Sequence, residues 1–163
     1  MTATWRGPLG TFVGARSGDK GGAANLGLWV VDPLEPAAVT LAHGGAASLA
    51  RDEAAEALAD RRYAWLAGLI TPEGVRALLP ETATLRIDVH PLPNLRAINV
   101  VVHGLLGRGV AQTTRVDPQA KGLGEHVRAR LVDIPIDLIG SSIGEATTDE
   151  ASIDEASIDE ATR

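Results

Sequence analysis

Residues 85–103 read LRIDVHPLPNLRAINVVVH, and the fold turns on how this stretch divides. Leu85, Ile87 and Val89 alternate with Arg86, Asp88 and His90, which is the period of a strand buried on one side. Pro91, Pro93 and Asn94 break that strand. A second strand runs from Arg96 to His103. It sets Ile98, Val100 and Val102 on one face, plainly core, and Ala97, Asn99, Val101 and His103 on a face that mixes apolar with hydrogen-bonding groups.

Upstream, Leu9 to Ala15 reads as a short strand. The continuous apolar run LGLWVV, residues 26–31, predicts a strand covered on both faces. A glycine-dense connection is expected between the two. Residues 34–62 look like a helical insertion: Pro36, Gly44 and Gly45 precede SLARDEAAEALADRR at 48–62, rich in Ala, Glu and Arg. Tyr63, Leu66 and Ile70 then repeat at helical spacing. Thr71, Pro72 and Glu73 supply an N-cap, a proline at the first helical position and a first-turn acid for a second helix, which Pro80 stops. Downstream, GLLGRG at 104–109 is a loop. Asp117 and Pro118 can open a last helix with Leu123, Val127 and Leu131 on one face, ending before Pro135. The order strand, strand, helices, strand, strand, helix predicts an α+β ferredoxin-like two-layer sandwich, with a mostly antiparallel sheet and helices on one face.

The 163 residues, 45% of them hydrophobic, suffice for one domain with its own core. The absence of cysteine removes disulfide scaffolds, thiolate zinc sites, iron–sulfur clusters and cysteine nucleophiles. No apolar run suits a membrane span and the first residues lack a signal-peptide layout, so a cytoplasmic location is expected. Aromatics at 3% and a net charge of −6 disfavour nucleic acid. That charge lies in residues 144–163, GEATTDEASIDEASIDEATR, whose seven acids and one arginine leave 14 residues of each sign in 1–143. Its five-residue repeat matches neither helix nor strand, and it is expected to be a disordered acidic tail after a 1–143 domain.

Chemistry concentrates in GARSGDKGG, residues 14–22, with Asn25 beyond it. Glycines allow successive N–H groups to point into a concavity, and Arg16 and Lys20 add positive charge, the composition of an anion site. The same glycines also suit a tight turn. The spacing is neither a Walker A loop nor a dinucleotide fingerprint. Asp19 is a candidate base, or an Asp bonded within its own loop. His103, at a strand end before Gly104, is a candidate general acid or base, or a satisfied structural histidine. Asn99 shares its strand face and presents an amide to a ligand or to backbone. Lys121 in a first helical turn would favour a nearby anion; if the helix begins at Leu123 it lies in a solvated loop. The four histidines show no metal-ligand spacing and no obvious paired acid, no GxSxG elbow is present, and no cofactor is implied.

Three segments, ARSGDKGGAANLG at 15–27, LPNLRAINVVVHGLLGRGV at 92–110 and RVDPQAKGLGEHVRARLVDIP at 115–135, together resemble the ferredoxin-fold domain of the AtuA-like, acyclic terpene utilisation, family. The resemblance implies a stand-alone small protein beside a large AtuA-type protein, in the catabolism of branched or terpenoid acyl-CoA compounds. Carried over by position, the motif residues are Arg16, Ser17, Gly18, Asp19, Lys20, Gly21, Asn25, Asn94, Asn99, His103, Gly104, Asp117 and Lys121; no catalytic role comes with them. Three functions follow as expectations. One is an accessory or binding subunit that pairs with the large protein and contacts an anionic group through the RSGDKG loop. Another is a self-sufficient acyl-CoA hydratase or hydrolase using Asp19 or His103. The third is a structural homo-oligomer.

Overall fold

The computed structural model describes residues 3–31 and 46–139. The expectations for residues 34–45 and for the acidic tail at 144–163 lie outside them. Among the described residues the strands are β1 (Thr4–Pro8), β2 (Val13–Lys20), β3 (Ala23–Val30), β4 (Ile87–Leu92), β5 (Ala97–Val102) and β6 (Leu131–Pro135), and the helices are α1 (Ala46–Leu69), α2 (Pro72–Leu78) and α3 (Leu123–Arg128). The chain divides into two units. Gly7–Val132 holds an antiparallel sheet of order β2-β3-β5-β4 and the helices, while Met1–Arg6 with Asp133–Arg163 contains the Arg6–Asp133 ion pair at 3.2 Å.

Alternation decides the larger unit. Leu26 and Leu28 of β3 and Ile98, Val100 and Val102 of β5 lie on one face and are fully buried, at about 2 kcal/mol for each large side chain removed from water. Helices pack on that face: α3 against β2 and β3, α1 against β3, and α2 against β4. In α1, residues 53–57 are exposed while Ala59 and Leu66 are buried. Trp65 meets Phe12 edge-on at 5.4 Å, and the Arg62 guanidinium lies 4.7 Å from the centre of the same ring. Thr71 caps α2, its Oγ1 accepting the Gly74 amide at 3.0 Å, and Pro72 opens the helix. The architecture is the α+β ferredoxin-like sandwich.

Several local expectations are corrected. The glycine-dense connection is strand as far as Lys20, because the β3 ladder holds it in register, and the turn proper is only Gly21 and Gly22. Strand β2 begins at Val13, since Leu9–Thr11 forms a 3₁₀ turn. Strand β3 is buried on one face only: Trp29 is 39% exposed, and the apolar run hides the period-two pattern of Gly27 and Trp29 between Leu26, Leu28 and Val30. The helical stretch of the insertion is continuous with the Tyr63 to Leu69 turns. Helix α3 starts at Leu123, so Asp117 and Lys121 precede it, and Leu131 belongs to β6.

Candidate functional site

Strand alternation sorts the motif residues onto two faces. Ser17 and Asp19 share the parity of Val13 and Ala15, on the side where α3 packs. Ser17 is tied down there: its Oγ accepts the Gly124 amide at 2.8 Å and donates to the Lys121 carbonyl at 3.2 Å. Asp117 completes the clamp, its two carboxylate oxygens accepting the Lys121 amide at 2.9 Å and the Gly122 amide at 2.8 Å. These hydrogen bonds spend the polar groups of Ser17 and Asp117 on fixing the start of α3. The Lys121 side chain is left on an exposed residue.

The other parity collects Arg16, Gly18 and Lys20 on the opposite face, which the helices leave half-buried or exposed among the described residues. The register lines them up. One row across the sheet is Arg16, Gly27, Asn99 and His90, and the next is Gly18, Asn25, Val101 and Asp88. Adjacent strands lie about 4.8 Å apart, so Arg16 and Asn99 stand roughly 10 Å apart across Gly27. A Cβ built on Gly18 would meet nothing, and one on Gly27 only the Arg16 carbonyl at 3.7 Å, so the floor is low at Gly18 beside Asn25 and at Gly27 beside Asn99. Lys20 and His103 border the same face at its hairpin end.

That hairpin end is closed by backbone. Gly21 has a φ of 64°, the left-handed conformation a two-residue turn demands. A Cβ on Gly22 would run into the Gly107 carbonyl, and the Leu106 amide donates to the Gly22 carbonyl at 3.0 Å. The paired glycines therefore serve the turn and its contact with the 104–109 loop. No nest of successive amides forms along 16–20, because an antiparallel ladder directs alternate N–H groups to opposite sides. A positive face stands where a positive hollow was expected.

His103 does have an acid partner, which corrects the expectation that no histidine has one. Its Nε2 lies 2.7 Å from Asp88 Oδ2, while Arg86 grips the same carboxylate with Nε at 3.1 Å and Nη2 at 2.7 Å. The Arg86 hydrogen bonds, followed by that of His103, hold the Asp88 carboxyl below the usual carboxylate range. The reciprocal bond raises the Arg86 guanidinium further. Asp88 is therefore a charged anchor for one imidazole nitrogen. The sequence carried a signal for this pair, since both residues sit on the polar faces of two strands joined by one short turn.

Elsewhere, an open depression of about 500 Å³ is lined by Glu81, Thr114 to Asp117, Gly122, Leu123 and His126. It takes only Asp117 from the motif, and that carboxylate is engaged. Among the described residues no group of His, Asp and Glu is arranged to hold a metal, and no helix is long and apolar enough to cross a membrane.

A family model described as the AtuA ferredoxin-like domain matches residues 8–133. The chain belongs to this family. No curated protein and no solved structure matches it. The matched segment of the AtuA ferredoxin-like domain contains β2, β3, β4, β5 and all three helices, and thus every residue of the open sheet face.

Proposed function

We propose that this AtuA ferredoxin-like domain is an accessory binding subunit that pairs with a large AtuA-type protein and holds an anionic group, a CoA phosphate or an acyl carboxylate, on its open sheet face. The observation that carries the reading is convergence: Arg16 and Lys20 from β2, Asn25 from β3, Asn99 from β5 and His103 just beyond it share one face that, among the described residues, no helix covers. Guanidinium and ammonium groups supply charge, and the two amides supply directed donors over a floor lowered by glycine. Ser17, Asp19 and Lys121 fall outside that surface. A thermal-shift panel of inorganic phosphate, free CoA and acyl-CoA esters tests it. Binding at 100 times the dissociation constant adds about 2.7 kcal/mol, a shift of several degrees in a domain of this size. The double variant Arg16→Ala, Lys20→Ala loses that shift. Absence of any shift in the wild type overturns the anion reading. Co-expression with the large protein should give one size-exclusion peak, and two separate peaks at micromolar concentration overturn the pairing.

A second reading, a self-sufficient acyl-CoA hydratase or hydrolase, draws on the Asp88–His103 contact. A carboxylate that fixes one imidazole nitrogen orients the other for proton transfer. It requires turnover by the isolated chain and its loss in His103→Ala; wild-type turnover in that variant overturns it.

A further inference from the structure

The open sheet face is zoned, and its second zone has no role in the reading above. One row beyond Arg16 lies Gly14, Trp29, Ala97 and Leu92. Trp29 is 39% exposed and Leu92 41%, and Val31, of the same parity as Trp29, is 39% exposed. The indole lies over Gly14, where a Cβ would collide with its ring, so this glycine lets Trp29 lie flat on the sheet. Leu95, in the β4–β5 turn at the same end, is also exposed. An apolar platform about 10 Å wide, two strand spacings, thus adjoins the row that begins with Arg16.

We infer that the ligand of this face is an amphipathic anion, with its charged group on Arg16 and Lys20 and its alkyl or acyl chain laid across Gly27 onto the Trp29–Ala97–Leu92 platform. The inference rests on the anion reading and extends it to the ligand's apolar half. Juxtaposition is the argument. A phosphate or carboxylate alone needs only the basic end, and a wholly apolar partner has no use for two cations and two amides beside its contact. Along β3, from Asn25 to Trp29, the path is about 13 Å at roughly 3.3 Å per residue, which suits a chain and not a compact ion. The bare Gly27 keeps that path clear.

Calorimetry on the full chain with inorganic phosphate, methyl phosphate, butyl phosphate and octyl phosphate, each below its micellar concentration, separates the two halves. Affinity should rise about twofold or more per methylene, as burial of apolar surface requires. Trp29→Ser should flatten the chain-length dependence and leave methyl phosphate binding unchanged. Leu92→Ser, at an exposed edge-strand position, should do the same in part should the tryptophan variant fold poorly. Arg16→Ala with Lys20→Ala should lower affinity for every member of the series by a common factor. Equal affinity across the series overturns the platform and leaves the anion reading standing. No binding of any member overturns both. If the large AtuA-type protein binds in a Trp29-dependent way while octyl phosphate does not bind, the platform is a protein contact and the inference fails.

Discussion

His103 Nε2 and Asp88 Oδ2 meet at 2.7 Å, joining the residue that follows β5 to the second residue of β4. Arg86 bonds the same carboxylate, and its hydrogen bonds, ahead of that from His103, hold Asp88 below its ordinary range. A carboxyl whose folded value is depressed stabilises the fold fully above the unfolded value of about 3.9, and that contribution disappears as pH falls through the folded value. Asp88→Asn should therefore lower the melting temperature at pH 7 and pH 5. The gap to wild type should narrow as pH falls toward 3. A gap independent of pH would show that the carboxylate's charge contributes nothing.

Ser17 acts through α3. Removing its hydroxyl strands the Gly124 amide at the helix start, a capping loss of about 1 kcal/mol. Ser17→Ala should lower the unfolding free energy by that amount, read as a lower urea midpoint with an unchanged m-value, and it should leave phosphate affinity intact, because Ser17 faces away from Arg16 and Lys20. A drop in phosphate affinity without loss of stability would place Ser17 in the ligand site instead.

How far the chain can be read without its structure varies by element. The alternations of Ile87 with Asp88 and of Ile98 with Asn99 are local and yield β4 and β5 directly, as Thr71 and Pro72 yield the start of α2. Strand β2 resists such reading because glycine, aspartate and lysine have little intrinsic preference for strand. Its conformation comes from eight register partners in β3. Strands β1 and β6 are five residues each, and their Arg6–Asp133 pair spans 127 positions, beyond the reach of any local pattern. The motif residues were visible as a set. Their division into one face that clamps α3 and another that faces solvent follows from a period of two that a loop assignment conceals.

Asn25 and Asn99 should matter to binding and little to folding. Both are half-buried on the open face, so truncating either to alanine exposes no core. If each amide gives a ligand one hydrogen bond of about 1 kcal/mol, affinity for phosphate should fall roughly three- to tenfold in each variant. Diagonal neighbours on adjacent strands lie about 7 Å apart and can reach one group. The double variant should then lose less than the product of the single losses, as coupled contacts do. Unchanged affinity in both single variants removes the asparagines from the site.

Gly18 and Gly22 offer a controlled contrast within one hairpin. A Cβ on Gly18 meets nothing, and strand interiors favour alanine over glycine by roughly 0.5–1 kcal/mol, so Gly18→Ala should keep or slightly raise stability. On Gly22 the same methyl runs into the Gly107 carbonyl, which is backbone and cannot swing aside. The hairpin tip must then part from the loop that donates the Leu106 amide to the Gly22 carbonyl. Overpacking of this kind costs about 1–3 kcal/mol, so Gly22→Ala should lower the denaturation midpoint and speed amide exchange at Leu106. The ligand consequences run the other way. Gly18→Ala raises the floor between Arg16 and Lys20, opposite Asn25, and should weaken phosphate binding in a stable protein, whereas Gly22→Ala should change affinity only to the extent that it loosens the turn. Equal stability for the two variants would mean that the close approach of Gly22 to Gly107 is not maintained in solution.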